Sequence, residues 1–210
     1  MKFFITKILT LTFLSFLSFN VLASEKFSIE GNVLIYDTEN IQNEEIGIVW
    51  DDSETLASIL LENKDIKTIQ LNSSGGDIET TYYMSDIIID YELDTNVIGN
   101  CESACTILLI AGEKRTIQKG SWVGFHQSSW DATSMEEWYL YYKEDEGWKN
   151  EFEFAEWLYT DTQNYIFKDF QYLLERNVDP FFAIKTMKAQ NDDMWYPRRK
   201  ELLAANVITE

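Results

Sequence analysis

The stretch "IKTIQLNSSGGDIETTYYMSDIIIDY" (66–91) limits the fold more than any other part of the chain. Residues 66–71 form a short apolar run of buried-strand length, and it stops at the breaker cluster "NSSGGD" (72–77). A helical pattern follows at once, from about Ile78 to Tyr91. A strand that passes through Gly-Gly straight into a helix marks an α/β layer. The order recurs downstream, with a strand at "TNVIG" (95–99) and an apolar helix beginning near Glu102. Upstream, Asp51, Asp52 and Ser53 are N-cap candidates for a helix running to about Asn63, with Leu56/Leu60 and Ala57/Leu61 pairs at i, i+4. "FSIEGNVLIY" (27–36) alternates as a strand or hairpin would, and Arg115 to Phe125 reads as extended chain ending at "GFHQ".

The pattern changes from Trp130 onward. Residues 130–159 carry ten aromatics, and nine acids fall between 131 and 156. So many aromatics argue against a disordered acidic tail. A helical arm is expected, packed on the body or on another subunit. The last 30 residues predict a helix from Asp179-Pro180, a short extended piece at "DDMWYP" and a final helix at "RRKELLAAN".

The first 23 residues are expected to lie outside the fold. Lys2 and Lys7 precede a charge-free run from Ile8 to Phe19, and Val21-Leu22-Ala23 closes the segment as a signal-peptidase site would. The run is too short for the roughly 20 residues that span a bilayer as a helix. The expectation is therefore a periplasmic or secreted protein, cleaved after Ala23, with no stable membrane insertion afterwards. No Cys follows the site, which argues against a lipid anchor. A single domain over 24–210 remains.

That mature part has 36 acids against 15 basic residues, a net charge of −21. Such a field excludes nucleic acid as a partner, because phosphate binding needs positive charge. It suits cationic substrates, or simply solvates the surface.

Three places have the residue types for chemistry. In "NSSGGD" the glycines free backbone N–H groups at a helix start, where an anion or transient oxyanion can sit; a plain tight turn is the alternative. The cluster lacks the Lys of a P-loop. In "CESAC" (101–105), Ser103 and the N–H of Ala104 are aimed at one small volume, as a nucleophile and half an oxyanion hole would be. Ser103 as a helix cap is the alternative. In "GFHQ", His126 is the only histidine of the chain and the natural base for a Ser nucleophile. Lys114 and Lys119 are weaker alternatives.

The two cysteines fit neither a CxxC thiol oxidoreductase nor, with one His, a zinc site. Neither a metal nor a cofactor is expected. Cys105 reads as a small buried hydrophobe. A Cys101–Cys105 disulfide is the other reading, accommodated if Cys101 lies just before the helix.

The spacing joins these signals. Ser103 follows Gly76 by 27 residues, and His126 follows Ser103 by 23. Over about residues 27–127 the chain resembles the Clp protease proteolytic subunit family and its small exported relatives, within the crotonase-like superfamily. The resemblance implies a repeated β-β-α superhelix with a helical arm (128–176) and C-terminal helices. It implies Ser103 as nucleophile, His126 as general base and the N–H groups of Gly76 and Ala104 as oxyanion hole. It also implies an acid in "NDDMWYP" (191–197), with Asp193 the better match and Asp192 the alternate. The implied activity is peptide-bond hydrolysis on a peptide or protein substrate, without ATP because an exported compartment lacks ATP-driven unfoldases; residues 128–176 fall outside the stretch that matches and are a candidate surface for a homo-oligomer. The chain departs from the family at Glu102, beside the nucleophile, and at Ser128, where the family has proline. Two rival readings remain: an inactive binding or assembly module on the same fold, and thioester chemistry on coenzyme A, which the acidic charge disfavours.

Overall fold

A computed structural model describes residues 24–210; the expected leader, 1–23, lies outside them. Two layers carry the architecture, a six-stranded sheet and the helices packed on it. The alternating segment at 27–36 is a hairpin, β1 (Phe27–Glu30) and β2 (Val33–Asp37), paired antiparallel across Gly31 at φ +63°. All later pairings between these strands are parallel. β2 lies beside β3 (Thr68–Ser73), and β3 beside β4 (Asp94–Glu102). On its far side β4 pairs with β5 (Arg115–Ile117) through its first half and with β6 (Trp122–Gly124) through its second.

β4 outruns its predicted span by three residues at its end. Its register against β3 shifts between Leu71/Val97 and Ser73/Cys101, so β4 bulges there. Gly99, at φ +96°, makes the bulge feasible: a Cβ on it would meet Asn72 Oδ1 at 2.4 Å. That Oδ1 accepts from the Asn100 N–H at 3.1 Å and restores the pairing beyond the bulge.

The helices are α1 (Asp51–Glu62), α2 (Ile78–Asp90) and α3 (Cys105–Ala111), with α2 packed against both others. Every residue of α3 is buried, so the apolar run that predicted it is the centre of the core, beside Leu71, Val97, Met84 and Ile88. Its C-terminal carbonyls are capped from afar. Arg176 donates to Ile110, Ala111 and Gly112 oxygens at 2.8–3.1 Å, putting positive charge where the helix dipole favours it.

None of the three N-cap candidates caps α1. Trp50 holds that position without a side-chain bond, and Asp52 turns into the core at 3 % exposure. There its Oδ2 accepts from Lys26 Nζ at 3.0 Å, Tyr36 OH at 2.6 Å and Val49 N–H at 2.9 Å. Burial and this carboxylate drive the Tyr36 phenol far above its ordinary range.

The arm is helical as expected. α4 (Ala132–Glu146) has no buried residue, while α5 (Glu151–Glu175) buries Phe154, Leu158 and Leu173. Trp148, Phe154 and Trp157 stack together near the start of α5. Its other end docks on the body, through Tyr172 OH on Ile107 O at 2.8 Å and Tyr82 OH on Asp169. α6 (Pro180–Thr186) and α7 (Arg199–Ala204) close the chain, with Asp179 capping α6 and Thr209 N–H returning to Arg115 O.

Candidate functional site

Three parallel-sheet features converge at the carboxyl ends of β3, β4 and β6, where open α/β sheets hold their sites. The first is the turn after β3. Ser73 Oγ accepts from the Gly75 N–H at 3.1 Å, and Ser74 N–H donates to Glu39 Oε1 at 2.7 Å. Ile48 lies alongside as an isolated parallel bridge: its N–H donates to Gly75 O and its O accepts from Asp77 N–H, both at 2.8 Å. A Cβ on Gly76 (φ +148°) would lie 2.3 Å from Ile48 N, so only glycine permits this approach. Pinned this way, Gly76 keeps its own N–H without a protein acceptor among the described residues.

The second feature is the passage from β4 to α3. The helix starts at Cys105, three residues after the predicted point, because β4 continues through Glu102. Ser103 takes φ +52°, a left-handed conformation that costs a non-glycine residue about 1–2 kcal/mol. Its N–H donates to Gly124 O at 3.0 Å, and its O accepts from both the N–H and the hydroxyl of Thr106. The Ser103 hydroxyl does not cap α3; the sharp turn presents it outward. The N–H of Ala104 has no protein acceptor among the described residues. Gly75 packs against this turn, so the turn after β3 and the start of α3 share one small volume.

Cys101 and Cys105 form a disulfide across Ser103, with Cα atoms 5.2 Å apart and both residues fully buried. The reading of Cys105 as a mere packing residue is thus replaced: β4 ends in line with the first turn of α3, which puts the two sulfurs within bonding reach. A Cys101→Ala/Cys105→Ala variant should lose about 2 kcal/mol from restored chain entropy in the unfolded state. Urea unfolding of wild type and variant checks this.

The third feature is His126. Its Nε2 lies 2.7 Å from Ser103 Oγ, within hydrogen-bond reach. The flanking backbone is tied to the C-terminal segment on both sides: Phe125 exchanges two bonds with Trp195, at 3.0 and 2.9 Å, and Gln127 N–H donates to Ala189 O at 3.0 Å. Desolvation holds the imidazole below its ordinary 6.5, with the Glu102 charge and the Gln127 backbone acting the other way. The ring is therefore neutral at pH 7, as a proton acceptor must be.

The acid expected at Asp193 or Asp192 is not bonded to this ring. His126 Nδ1 is buried without a partner among the described residues. Asp193 is exposed, in a turn closed by its own N–H on Gln190 O, and its Oδ1 accepts from Met194 N–H at 2.8 Å. The structure brings the segment beside the histidine without inserting its carboxylates. Lys114 and Lys119 are exposed and form no hydrogen bond to Ser103.

Glu102 has partners that its position beside Ser103 did not foretell. Its Oε1 accepts from Trp122 Nε1 and from Tyr196 OH, each at 2.9 Å. The register explains the second bond. Glu102 pairs with Gly124, and a Cβ on Gly124 would lie 2.8 Å from Tyr196 Cε1. The missing side chain lets the Tyr196 ring lie over β6 and reach across. No group of three or more His, Cys, Asp and Glu residues suited to a metal occurs among the described residues.

No family model matches this chain. No curated protein matches it either. Among solved structures it is similar to a point mutant of ClpP1 from Listeria monocytogenes, with a TM-score of 0.58 and 16 % identity over 86 % of this chain and 90 % of that one. At that identity the likeness establishes a Clp protease-like fold and nothing further.

Proposed function

We propose that this chain, on a Clp protease-like fold, is an exported serine peptidase-like hydrolase that cleaves peptide bonds without ATP. One observation carries the reading: a Ser at φ +52° whose hydroxyl lies 2.7 Å from the only histidine of the sequence. Ser103 Oγ attacks the peptide carbonyl carbon as His126 Nε2 takes its proton. The oxyanion is received by the N–H groups of Gly76 and Ala104. His126 returns the proton to the leaving amine as the C–N bond breaks, and water then hydrolyses the acyl-Ser103 ester with the same histidine as base. The repeated β-β-α superhelix, export after Ala23 and self-association through 128–176 belong to the same proposal.

Asp193 is proposed as the acid that completes the site by turning its carboxylate, exposed in this structure, toward His126 Nδ1. Ala189 is tied to Gln127 and Trp195 to Phe125, so residues 190–194 arch past His126, whose buried Nδ1 calls for an acceptor. Asp193→Asn is expected to lower turnover clearly more than Asp192→Asn, whose effect stays within a few-fold.

A fluorophosphonate probe tests the nucleophile. Wild type should be labelled at Ser103, and Ser103→Ala and His126→Ala should not. Labelling that survives in both variants overturns the reading. A protein that stays unlabelled under all conditions favours the rival, an inactive binding module, for which the unpartnered Nδ1 is the specific support.

The pH dependence has a definite sign. Since His126 is held below 6.5, the labelling rate should be at its plateau at pH 7 and fall along an acid limb centred below 6.5. Stability moves the same way. Below 6.5 the unfolded chain takes up a proton that the native ring resists, so the histidine's contribution is full above 6.5 and lost as pH falls. Labelling rates and unfolding midpoints measured from mildly acidic to neutral pH check both.

A further inference from the structure

Glu102 is an unpaired carboxylate held still beside the nucleophile. Both donors that fix it, Trp122 Nε1 and Tyr196 OH, bind the same oxygen, Oε1. Among the described residues its other oxygen has no protein partner, and no Lys or Arg pairs with it. The two rings beside it are half exposed, Trp122 at 50 % and Tyr196 at 49 %. A fixed carboxylate with a free oxygen, flanked by two half-exposed aromatic side chains, binds a cation by charge-assisted hydrogen bonding. Its charge is felt at the reaction centre, since it favours the His126 cation.

We infer that Glu102, clamped between Trp122 and Tyr196, is a specificity-determining residue that takes a lysine or arginine side chain of a peptide substrate next to the bond under attack. The neighbouring cavity, about 680 Å³, shares Trp122 and Tyr196 but carries Lys119, Arg198 and Arg199. Its charge repels a cation, which confines the basic side chain to the Glu102 side. The catalytic consequence rests on Ser103 being the nucleophile; the binding does not.

The test separates the two. Binding is measured in the Ser103→Ala chain, at physiological salt, for two blocked peptides that differ by Lys against Leu at the central residue. The Lys peptide should bind about tenfold more tightly. Adding Glu102→Gln, whose amide oxygen still accepts from Trp122 and Tyr196, should bring the ratio near one. Adding Glu62→Gln, an equal change in net charge on an exposed residue at the end of α1, should leave it at about tenfold. Equal binding of the two peptides, or a Lys advantage that survives Glu102→Gln, overturns the inference. A Lys advantage lost in Glu102→Gln upholds it even where fluorophosphonate labelling fails, an outcome that would sink the nucleophile reading alone. In a chain that keeps Ser103, Glu102→Gln should also move the acid limb of labelling to lower pH, because the charge that favours protonated His126 is gone.

Discussion

Asp52→Ala should destabilise the protein by about 3–5 kcal/mol, the penalty for leaving a buried charge uncompensated. Lys26 is 2 % exposed, and its ammonium has two acceptors, Asp52 Oδ2 at 3.0 Å and Gly47 O at 2.8 Å. Removing the carboxylate strands that charge and also takes the acceptor from Tyr36 OH and Val49 N–H. A Lys26→Met/Asp52→Asn variant removes both charges and keeps an acceptor, and it should recover more than about half of the loss. Urea denaturation of the three proteins measures the difference; equal stabilities of Asp52→Ala and wild type would contradict the assignment. The consequence reaches the site. Gly47 and Ile48 are the residues that hold Gly75 and Gly76 in place, so the damage should include the proposed oxyanion turn.

Gly75→Ala is expected to slow fluorophosphonate labelling by more than about 100-fold, the effect of displacing reacting groups by an ångström. The added Cβ would lie 2.8 Å from Ser103 Cβ, 2.9 Å from Glu102 O and 3.0 Å from Ala104 N. Two of these are backbone atoms, which cannot move aside as a side-chain tip can. The residue also sits at φ +101°, so about 1–3 kcal/mol of backbone strain is added. Gly31→Ala provides the control. It too has positive φ, +63°, but nothing lies within 4 Å of its Cβ. That variant should lose stability and keep its labelling rate. Equal labelling of Gly75→Ala and wild type would remove the turn after β3 from the site.

Much of the fold is readable in local patterns. The strand, Gly-Gly turn and helix at 66–91 fall within two residues of β3 and α2. The misreadings have a common cause. Glycine reads as a strand end, which cuts β4 short at Gly99; the Asn72 side chain, 28 residues from the Asn100 N–H it holds, carries the strand past it to Glu102. Asp52 reads as a cap because caps are local, whereas Lys26 and Tyr36 reach it from another layer. The one sign in the sequence that Tyr196 could reach Glu102 was Gly124, a glycine ahead of "FHQ", and Trp122 left no such sign.

The sequence by itself determined the α/β class, the order of turn, serine and histidine, and the acidic, aromatic character of the arm. Each of these depends on residue type and spacing along the chain. The tertiary structure alone decided that Ser103 and His126 meet at 2.7 Å, that the cysteines join across the serine, and that Asp193 faces outward. It alone also turned Glu102 from an obstacle beside the nucleophile into a clamped carboxylate. Those contacts depend on how strands stack in register. A shift of one residue sends a strand's side chains to the opposite face of the sheet.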